Sequence, residues 1–137
     1  MSFEYTYAGY LLSAQSGMVA AGLANYHMHL FQNDFMPDKT SLIGDFVEAT
    51  FDGYADQLVN FSAIYLNGSN QAQSDAASIT WVKGVGSTDN TIYGIYMTDA
   101  SDAIVIGFEI LVTPIVFDTP AVSHLFYQLS PTMDSVP

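Results

Sequence analysis

Stretches with a side-chain pattern of period two constrain the fold of this chain more than any other feature. Successive side chains of a β-strand point to opposite faces, so a period of two is typical of strands. Residues 26–32, 57–65 and 104–111 show this alternation most clearly, and residues 78–82, 91–98 and 121–129 are predicted as further strands. Residues 113–120 contain two prolines and are predicted to form a loop before the last strand.

Turn signals and composition favour the same fold class. Asp52-Gly53, Asn67-Gly68 and residues 99–102 are turn signals beside predicted strands. Half of the 137 residues are hydrophobic, which is enough for one domain with a core. We therefore expect a mainly β fold, an antiparallel β-sandwich or a jelly-roll-like barrel, with residues 26–137 as a single β domain.

Residues 1–25 are predicted to form an N-terminal arm that contains a short helix. Residues 9–24 are small and apolar, with five larger anchors: Leu11, Leu12, Met18, Val19 and Leu23. Gly17 and Gly22 each weaken an isolated helix by about 1 kcal/mol, so the helix needs a partner surface. The run is shorter than the roughly 20 apolar residues of a membrane span, and it lacks the basic start of a signal peptide.

Residues 33–56 are a long connection without strand alternation. Pro37 ends the strand ladder, and Thr40 or Ser41 is the expected cap of one short helix that continues to Glu48. Single aromatic residues are spaced along the segment. We expect their side chains to pack into apolar pockets and so hold the segment in place as it crosses the β domain. They are Phe35, Phe46, Phe51 and Tyr54, together with Phe31 from the strand predicted just before the segment.

The charge balance excludes two classes of partner. The chain has 14 acidic residues against two basic ones, Lys39 and Lys83, for a formal net charge of -12. This charge repels nucleic-acid phosphates and anionic membrane surfaces. The negative charge favours solubility. It also fits an outer surface that avoids acidic polymers, or a lower surface of the protein that docks on a basic partner. The chain has no cysteine, so disulfides and thiolate metal sites are excluded.

Two histidines, His27 and His29, fall on one face of the predicted strand at residues 26–32. Two such rings can bind a divalent metal ion, and His124 from another strand is a candidate third ligand. No carboxylate stands at ligand spacing beside them, so we favour sheet-face or interface histidines and predict neither a metal nor a cofactor. At an interface, their protonation near about pH 6 would weaken the contact.

Four aspartates near predicted turns are candidates for calcium binding or for a catalytic carboxylate pair: Asp52, Asp56, Asp99 and Asp102. Their spacing lacks the alternating oxygen ligands, the Gly bend and the closing Glu of a calcium loop. A glycosidase pair needs a defined separation in space, which spacing in sequence does not supply. Asp bonds its own backbone in turns, and we prefer this explanation.

The sequence contains no signature of an enzyme. Gly84-Val85-Gly86 is not followed by the lysine of a phosphate-binding loop, and no nucleophile elbow accompanies the serines and histidines. Five strand aromatics are candidates for a sugar-stacking platform, but strand aromatics are more often core or subunit contacts. They are Trp81, Tyr93, Tyr96, Phe126 and Tyr127. We predict that the protein is not an enzyme.

The most specific pattern lies between Leu30 and Ala55. It consists of Leu30-Phe31-Gln32-Asn33-Asp34-Phe35-Met36-Pro37, then Thr40, Asp45-Phe46-Val47-Glu48-Ala49 and Phe51-Asp52-Gly53-Tyr54-Ala55. These residues resemble small structural proteins of tailed bacteriophages, in which a Leu-Phe-x-Asn-x-x-x-Pro opening leads through a Thr and an Asp-hydrophobic-x-Glu step to a Gly-Tyr element. Tyr93-Gly94-Ile95-Tyr96 resembles a later segment of that family. The resemblance does not cover residues 1–25.

The resemblance implies a virion component, and a capsid decoration (cement) protein fits the size of the chain best. Such proteins commonly have β-sandwich folds, form trimers and sit at local threefold positions of the shell. The expected partners are therefore the major capsid protein and other copies of this chain in a homotrimer, with neither nucleic acid nor membrane. The expected location is the outer surface of the capsid. The alternative is a head-fibre or tail-fibre module that binds host surface glycans.

A set of aromatic and apolar residues is expected to contact capsid subunits, because a few large anchors dominate a typical interface. The set comprises Tyr5, Tyr10, Leu11, Leu12, Met18, Phe31, Phe35, Phe51 and Tyr54. The N-terminal members belong to the arm, which is expected to clamp capsid subunits. Phe31 and the three members from the long connection fit the core of the chain equally well.

Overall fold

The structure is a computed structural model that describes residues 3–6, 26–59, 65–66, 68–69, 72–73, 77–128 and 132–133. It is mainly β with antiparallel sheets, which confirms this part of the predicted fold class. The strands in chain order are β1 Glu4–Tyr5, β2 Tyr26–Phe31, β3 Gln57–Val59, β4 Tyr65–Leu66, β5 Ala72–Gln73, β6 Ile79–Val82, β7 Asn90–Thr98, β8 Val105–Phe117, β9 His124–Tyr127 and β10 Thr132–Met133. The predicted N-terminal helix lies outside the described residues.

The largest sheet has five strands in the order β1-β8-β7-β2-β3. Its centre is the β7–β8 hairpin, closed by the predicted turn at residues 99–102, and β2 pairs with the other edge of β7. Two smaller sheets have the orders β10-β5-β4 and β6-β9. Each of these sheets is open, so the described strands form no closed barrel.

Strand β8 is longer than the sequence predicted. It continues through Pro114 to its last residue, whereas the sequence predicted a loop from residue 113 onward. The register between β7 and β8 shifts here, since the partner changes from Ile115 at Ile92 to Ile110 at Gly94. The residues of β8 between Ile110 and Ile115, which include Pro114, form a bulge. A proline at a bulge breaks no ladder hydrogen bond. The first half of the predicted loop was therefore wrong.

Hydrophobic clusters cover both faces of the five-stranded sheet. In the larger cluster, Met28 and Leu30 of β2 pack with Ile79 and Trp81 of β6. These two β6 residues are buried and alternate with exposed ones, as the sequence predicted. Phe31 follows Leu30 in β2 and points to the opposite face. There the buried members of a smaller cluster are Phe31, Phe46, Tyr96, Val105 and Phe108.

The long connection, residues 33–56, contributes side chains to both clusters. Phe35 and Phe46 belong to the smaller cluster, and the later residues Phe51 and Tyr54 belong to the larger one. The connection therefore passes from one face of the sheet to the other. Its aromatic residues occupy apolar surroundings, as predicted.

The predicted helix in this connection is only a short 3-10 helix, Ile43–Asp45. Asp45 caps it, because its Oδ2 accepts a hydrogen bond from the backbone N–H of Leu42 at 2.8 Å. The backbone is extended again at Phe46, whose ring is buried, and Glu48 then forms a β-bridge with the end of β2. A helix that continued to Glu48 would remove the bridge and expose the ring. The longer helix predicted from the sequence was therefore wrong.

One of the two lysines of the chain is completely buried. The Lys83 side chain has 0% of its surface exposed, and its Nζ donates hydrogen bonds to the carbonyl oxygens of Gly84 and Gly86 at 3.0 and 3.1 Å. Carboxylate oxygens of Asp52 and Asp89 each lie 3.6 Å from the Nζ. These oxygens compensate the ammonium group for its removal from water.

Candidate functional site

Strand β2 presents His27 and His29 on one face, as its period of two predicted. His29 is buried, with 4% of its surface exposed, whereas His27 is partly exposed. On the neighbouring strand β7, Thr98 is the register partner of His27, and Tyr96 is the partner of His29. The Tyr96 ring stacks on the His29 imidazole with centroids 4.7 Å apart, which fixes the plane of that imidazole.

Two aspartates complete a cluster with these imidazoles. Asp56 lies directly before β3, and its Oδ2 is 2.7 Å from His27 Nδ1. Asp102 lies between β7 and β8, with its Oδ1 3.2 Å from His29 Nε2 and 3.6 Å from His27 Nδ1. Each of the four side chains offers one ligand atom, and these atoms all lie within 4.8 Å of one another. We refer to these four residues as the His–Asp cluster.

The position of Asp102 depends on the turn that carries it. Asp102 has a φ of 55°, in the left-handed region that Asp tolerates better than most residues. The Asp99 carboxylate closes the turn by accepting hydrogen bonds from the N–H groups of Ala103 and Ile104 at 2.9 and 3.0 Å, the turn role predicted for this aspartate. Thr98 Oγ1 donates to Asp102 Oδ1 at 2.6 Å and thereby orients the carboxylate toward the histidines.

A third carboxylate fixes the other nitrogen of His29. Glu48 Oε2 lies 2.5 Å from His29 Nδ1, and the Tyr54 hydroxyl donates to the same oxygen at 2.7 Å. The backbone N–H of Leu30 donates to the Tyr54 hydroxyl at 3.2 Å. Because Glu48 engages Nδ1, the Nε2 of His29 is the nitrogen that faces β7 and its following turn, with Thr98 Oγ1 at 2.9 Å and Asp102 Oδ1 at 3.2 Å.

Carboxylates dominate the electrostatics of this region. Burial lowers the pKa of His29, but the hydrogen bond and negative charge of Glu48, with the charges of Asp102 and Asp56, raise that pKa above its usual value. The hydrogen bond to His29 lowers the pKa of Glu48. Burial and the bond to Glu48 raise the pKa of the Tyr54 hydroxyl, which remains a neutral donor. In the described part of the chain, only the histidines form ion pairs with these carboxylates.

Spacing in the sequence does not reveal these carboxylate neighbours. Asp56, Glu48 and Asp102 stand 29, 19 and 73 residues from their histidine partners along the chain. Only the pairing of β2 with β3 and β7 brings them together, so the argument from spacing does not hold in the folded chain. The candidate third ligand, His124, is not part of the cluster. It lies on β9, with its Nδ1 2.7 Å from the Val122 carbonyl oxygen.

The residues expected to contact capsid subunits fall into four groups. Phe31 and Phe51 are buried in the core of the chain, with 0% and 2% of their surfaces exposed. Phe35 and Tyr54 are partly buried and pack against the same clusters. Tyr5 belongs to β1. The remaining members lie outside the described residues: Tyr10, Leu11, Leu12 and Met18.

Two of the five candidate sugar-stacking aromatics are buried. Trp81 and Tyr96 have 2% and 3% of their surfaces exposed, and Trp81 Nε1 donates to the Ala55 carbonyl oxygen at 2.9 Å. Neither ring offers a face to a glycan. Among the five, only Phe126 is largely exposed, at 65%.

Within the described part of the chain, no helix has the length and apolar character that a membrane crossing requires. The chain matches no protein-family model, no curated protein and no solved structure.

Proposed function

We propose that the protein is a structural component of a tailed-bacteriophage virion, specifically a capsid decoration protein. In this proposal it sits on the outer surface of the shell as a homotrimer and bridges major capsid subunits. The observation that carries the proposal is the resemblance of residues 30–55 to small structural proteins of such virions. The role is to hold neighbouring subunits together, without catalysis.

The residues that carry the resemblance hold the long connection in place, which supports a structural role. Asn33 donates from Nδ2 to the Asp45 carbonyl oxygen and accepts the Val47 N–H at its Oδ1, both at 2.9 Å. Tyr54 binds Glu48 through its hydroxyl. A motif whose residues fix the path of a backbone fits a structural family better than a catalytic one.

The outer edge of β8 supports assembly with other subunits. Among the described residues, β1 pairs with β8 only at Gly107 and Phe108, so the later part of β8 has one backbone edge free. Exposed apolar side chains occur on that part, with Val112 and Val116 exposed by 85% and 52%. Free strand edges and exposed apolar side chains are commonly covered by neighbouring subunits.

The fold proposed for the whole chain is a β-sandwich of jelly-roll type with an N-terminal helical arm. The larger hydrophobic cluster supports the sandwich because it joins the five-stranded sheet to the β6–β9 sheet. The N-terminal arm is proposed to clamp neighbouring capsid subunits through its apolar run, residues 9–24, because these apolar residues need a partner surface.

A density map of the intact particle tests the proposal, because it gives location and copy number together. A decoration protein is expected in hundreds of copies on the shell exterior at local threefold positions. Particles stripped of the protein are expected to release their genome at a lower temperature than untreated particles. If purified virions contain none of this protein, the proposal is wrong.

Rebinding to stripped capsids tests the arm separately. The double substitution Leu11→Asp and Leu12→Asp is expected to abolish rebinding, because it places two charges on the apolar anchors. The matched control Ser13→Asp and Gln15→Asp adds the same charge at neighbouring polar positions and is expected to rebind. Equal rebinding by both proteins would contradict the clamping role of the arm.

The alternative function is a head-fibre or tail-fibre module that binds host glycans. It predicts few copies per particle and saturable glycan binding. The burial of Trp81 and Tyr96 weighs against it, because two of the five candidate stacking rings are unavailable to a glycan. A glycan array with the purified chain distinguishes the two functions, since a decoration protein is expected to bind none of the glycans.

A further inference from the structure

We propose that the His–Asp cluster binds one divalent transition-metal ion, Zn²⁺ in particular. The ligand atoms are His27 Nδ1, His29 Nε2 and one carboxylate oxygen each from Asp56 and Asp102. The proposal does not depend on a virion role, because it rests on four side chains at one end of the five-stranded sheet.

Two of the distances between these atoms are close to those of a tetrahedral site. Metal–ligand distances of about 2.0–2.2 Å place the ligands of a tetrahedral Zn²⁺ about 3.3–3.6 Å from one another. Asp102 Oδ1 lies 3.2 Å from His29 Nε2 and 3.6 Å from His27 Nδ1. Asp56 Oδ2 lies 2.7 Å from His27 Nδ1, and all four ligand atoms lie within 4.8 Å of one another. Small side-chain rotations would equalise these distances around one ion.

The surroundings of His29 match those of a metal-binding histidine. Such a histidine usually donates its other ring N–H to a carboxylate, which fixes the tautomer and raises the basicity of the ligating nitrogen. Here Glu48 lies at Nδ1, and the Tyr54 hydroxyl holds Glu48 in place. Thr98 orients Asp102 in the same way. His29 and Asp102 are therefore oriented before a metal ion arrives, while His27 and Asp56 need only small rotations.

The charge of the cluster favours a cation. Both aspartates and Glu48 contact the two histidines, and Lys83 is engaged elsewhere by Asp52 and Asp89. A divalent ion would balance the two ligand aspartates and allow both imidazoles to bind as neutral ligands. The net charge of -12 also concentrates cations at the protein surface.

The donor set selects among the common divalent ions. Two imidazole nitrogens with two carboxylate oxygens suit Zn²⁺, whereas Ca²⁺ takes about six to eight oxygen ligands and Mg²⁺ also prefers oxygen. The ion has a path to the site, because the Asp56 and Asp102 side chains are 39% and 47% exposed. Bound there, it would join β2, the segment before β3 and the β7–β8 turn.

Isothermal titration of the full chain, without a polyhistidine tag and after removal of metals with EDTA, tests the proposal. One Zn²⁺ per chain is expected to bind, and the thermal unfolding midpoint is expected to rise with Zn²⁺ concentration. Co²⁺ is expected to give the visible absorption bands of a tetrahedral site. Ca²⁺ and Mg²⁺ are expected to raise the midpoint no more than a matched ionic strength does.

Substitutions that keep side-chain size assign the ligands. His27→Gln and Asp102→Asn are each expected to weaken Zn²⁺ binding about 100-fold or more, and Glu48→Gln about 10–100-fold, because it changes only the support of His29. The matched controls His124→Gln and Asp118→Asn lie outside the cluster and are expected to bind Zn²⁺ like the unaltered chain.

Three results would overturn the proposal. The first is no stoichiometric Zn²⁺ binding by the unaltered chain, and the second is an equal loss of binding in the His124→Gln control. The third is retention of Zn²⁺ affinity and of the Co²⁺ spectrum by both His27→Gln and Asp102→Asn. Circular dichroism without metal identifies a variant that has lost its fold, and the titration and Co²⁺ spectrum of the unaltered chain remain decisive in that case.

Discussion

Asn90, the first residue of β7, fixes the long connection against the five-stranded sheet through one buried side chain. Its Oδ1 accepts the backbone N–H groups of Thr50 and Phe51 at 2.6 and 2.8 Å. Its Nδ2 donates to Gln32 Oε1 at 3.1 Å and to the Asp89 carbonyl oxygen at 2.7 Å. With 8% of Asn90 exposed, water cannot readily replace these partners.

Substitution of Asn90 by Ala is therefore expected to destabilise the protein by about 2–4 kcal/mol, because it leaves two backbone N–H groups without an acceptor. Asn33→Ala is the matched control. It removes the same side chain and two hydrogen bonds to backbone groups, but at a partly exposed position, and is expected to cost about 1 kcal/mol or less. Urea unfolding measures both values. Equal losses would show that burial of Asn90 is not the cause.

Glu109 on β8 provides a pH-dependent contribution to stability. Burial raises the pKa of this carboxyl above its ordinary value of 4.5. The folded state thus holds this proton more tightly than the unfolded state. The resulting stabilisation is complete below pH 4.5 and is lost as the pH rises through the folded-state pKa.

Glu109→Gln is accordingly expected to stabilise the protein at neutral pH, by about 0.5 kcal/mol or less because the carboxyl is partly exposed. Its advantage over the unaltered chain is expected to disappear at about pH 4. Urea unfolding across this pH range checks both points, with Glu4→Gln as the control at an exposed glutamate. A variant less stable than the unaltered chain at neutral pH would contradict the explanation.

At the scale of elements, the β7–β8 hairpin depends on the absence of a side chain at Gly94. This glycine lies at the register shift between the two strands. A Cβ built on it would lie 2.4 Å from the Glu109 carbonyl oxygen and 2.5 Å from the ring of Phe31. Backbone of β8 and a buried ring of β2 therefore approach β7 at one point.

Gly94→Ala is expected to destabilise the protein by about 1–3 kcal/mol, because both neighbours must move to admit the methyl group. Gly44→Ala is the matched control, since a Cβ there meets nothing within 4 Å. It is expected to be neutral or slightly stabilising. Thermal unfolding of the two variants gives the comparison, and similar midpoints for both would refute the packing argument.

Alternation predicted strands wherever one face of the strand is buried. It identified β2, β6 and the first half of β8, and it placed both histidines on one face. It did not predict the second half of β8, because a bulge interrupts the register there and Pro114 is tolerated only for that reason. The predicted length of the helix after residue 40 was too great. Capping residues mark where a helix begins, but they carry no information on the tertiary contacts that bury Phe46 in the core.

The candidate site was predictable only in part for a related reason. The spacing of His27 and His29 is local, so the sequence contains it. The contacts of these histidines with Asp56, Glu48 and Asp102 depend on the order and register of β3, β2 and β7, which follow from packing of the whole sheet. The register that pairs Thr98 with His27 brings Asp102 near the histidines, because Thr98 ends β7 and the turn that carries Asp102 follows it.

At the scale of the whole molecule, charge opposes folding. The chain carries 14 acidic residues and two basic ones, and Lys83 is engaged in the interior. Acidic side chains that repel one another favour the expanded state. Dissolved salt weakens this repulsion between exposed charges.

Raising NaCl from about 20 mM to about 500 mM, with EDTA present, is therefore expected to raise the thermal unfolding midpoint by about 3–5 °C. The effect is expected to level off at the higher concentrations, where the screening length is short. Choline chloride serves as the control for specific sodium binding and is expected to act equally. A midpoint that is flat or falls with salt would refute the role of charge repulsion.

The burial of Lys83 has a consequence for proteolysis. Trypsin cleaves after lysine, and the other lysine, Lys39, is exposed in the long connection. Mass spectrometry is expected to find one rapid cut in the native protein, between residues 39 and 40, and a second cut after Lys83 only as fast as the chain unfolds. Because β2 lies before the first cut and its partners β3 and β7 lie after it, the two fragments are expected to stay together in gel filtration. The native chain can thus be divided into two pieces that remain paired as one sheet.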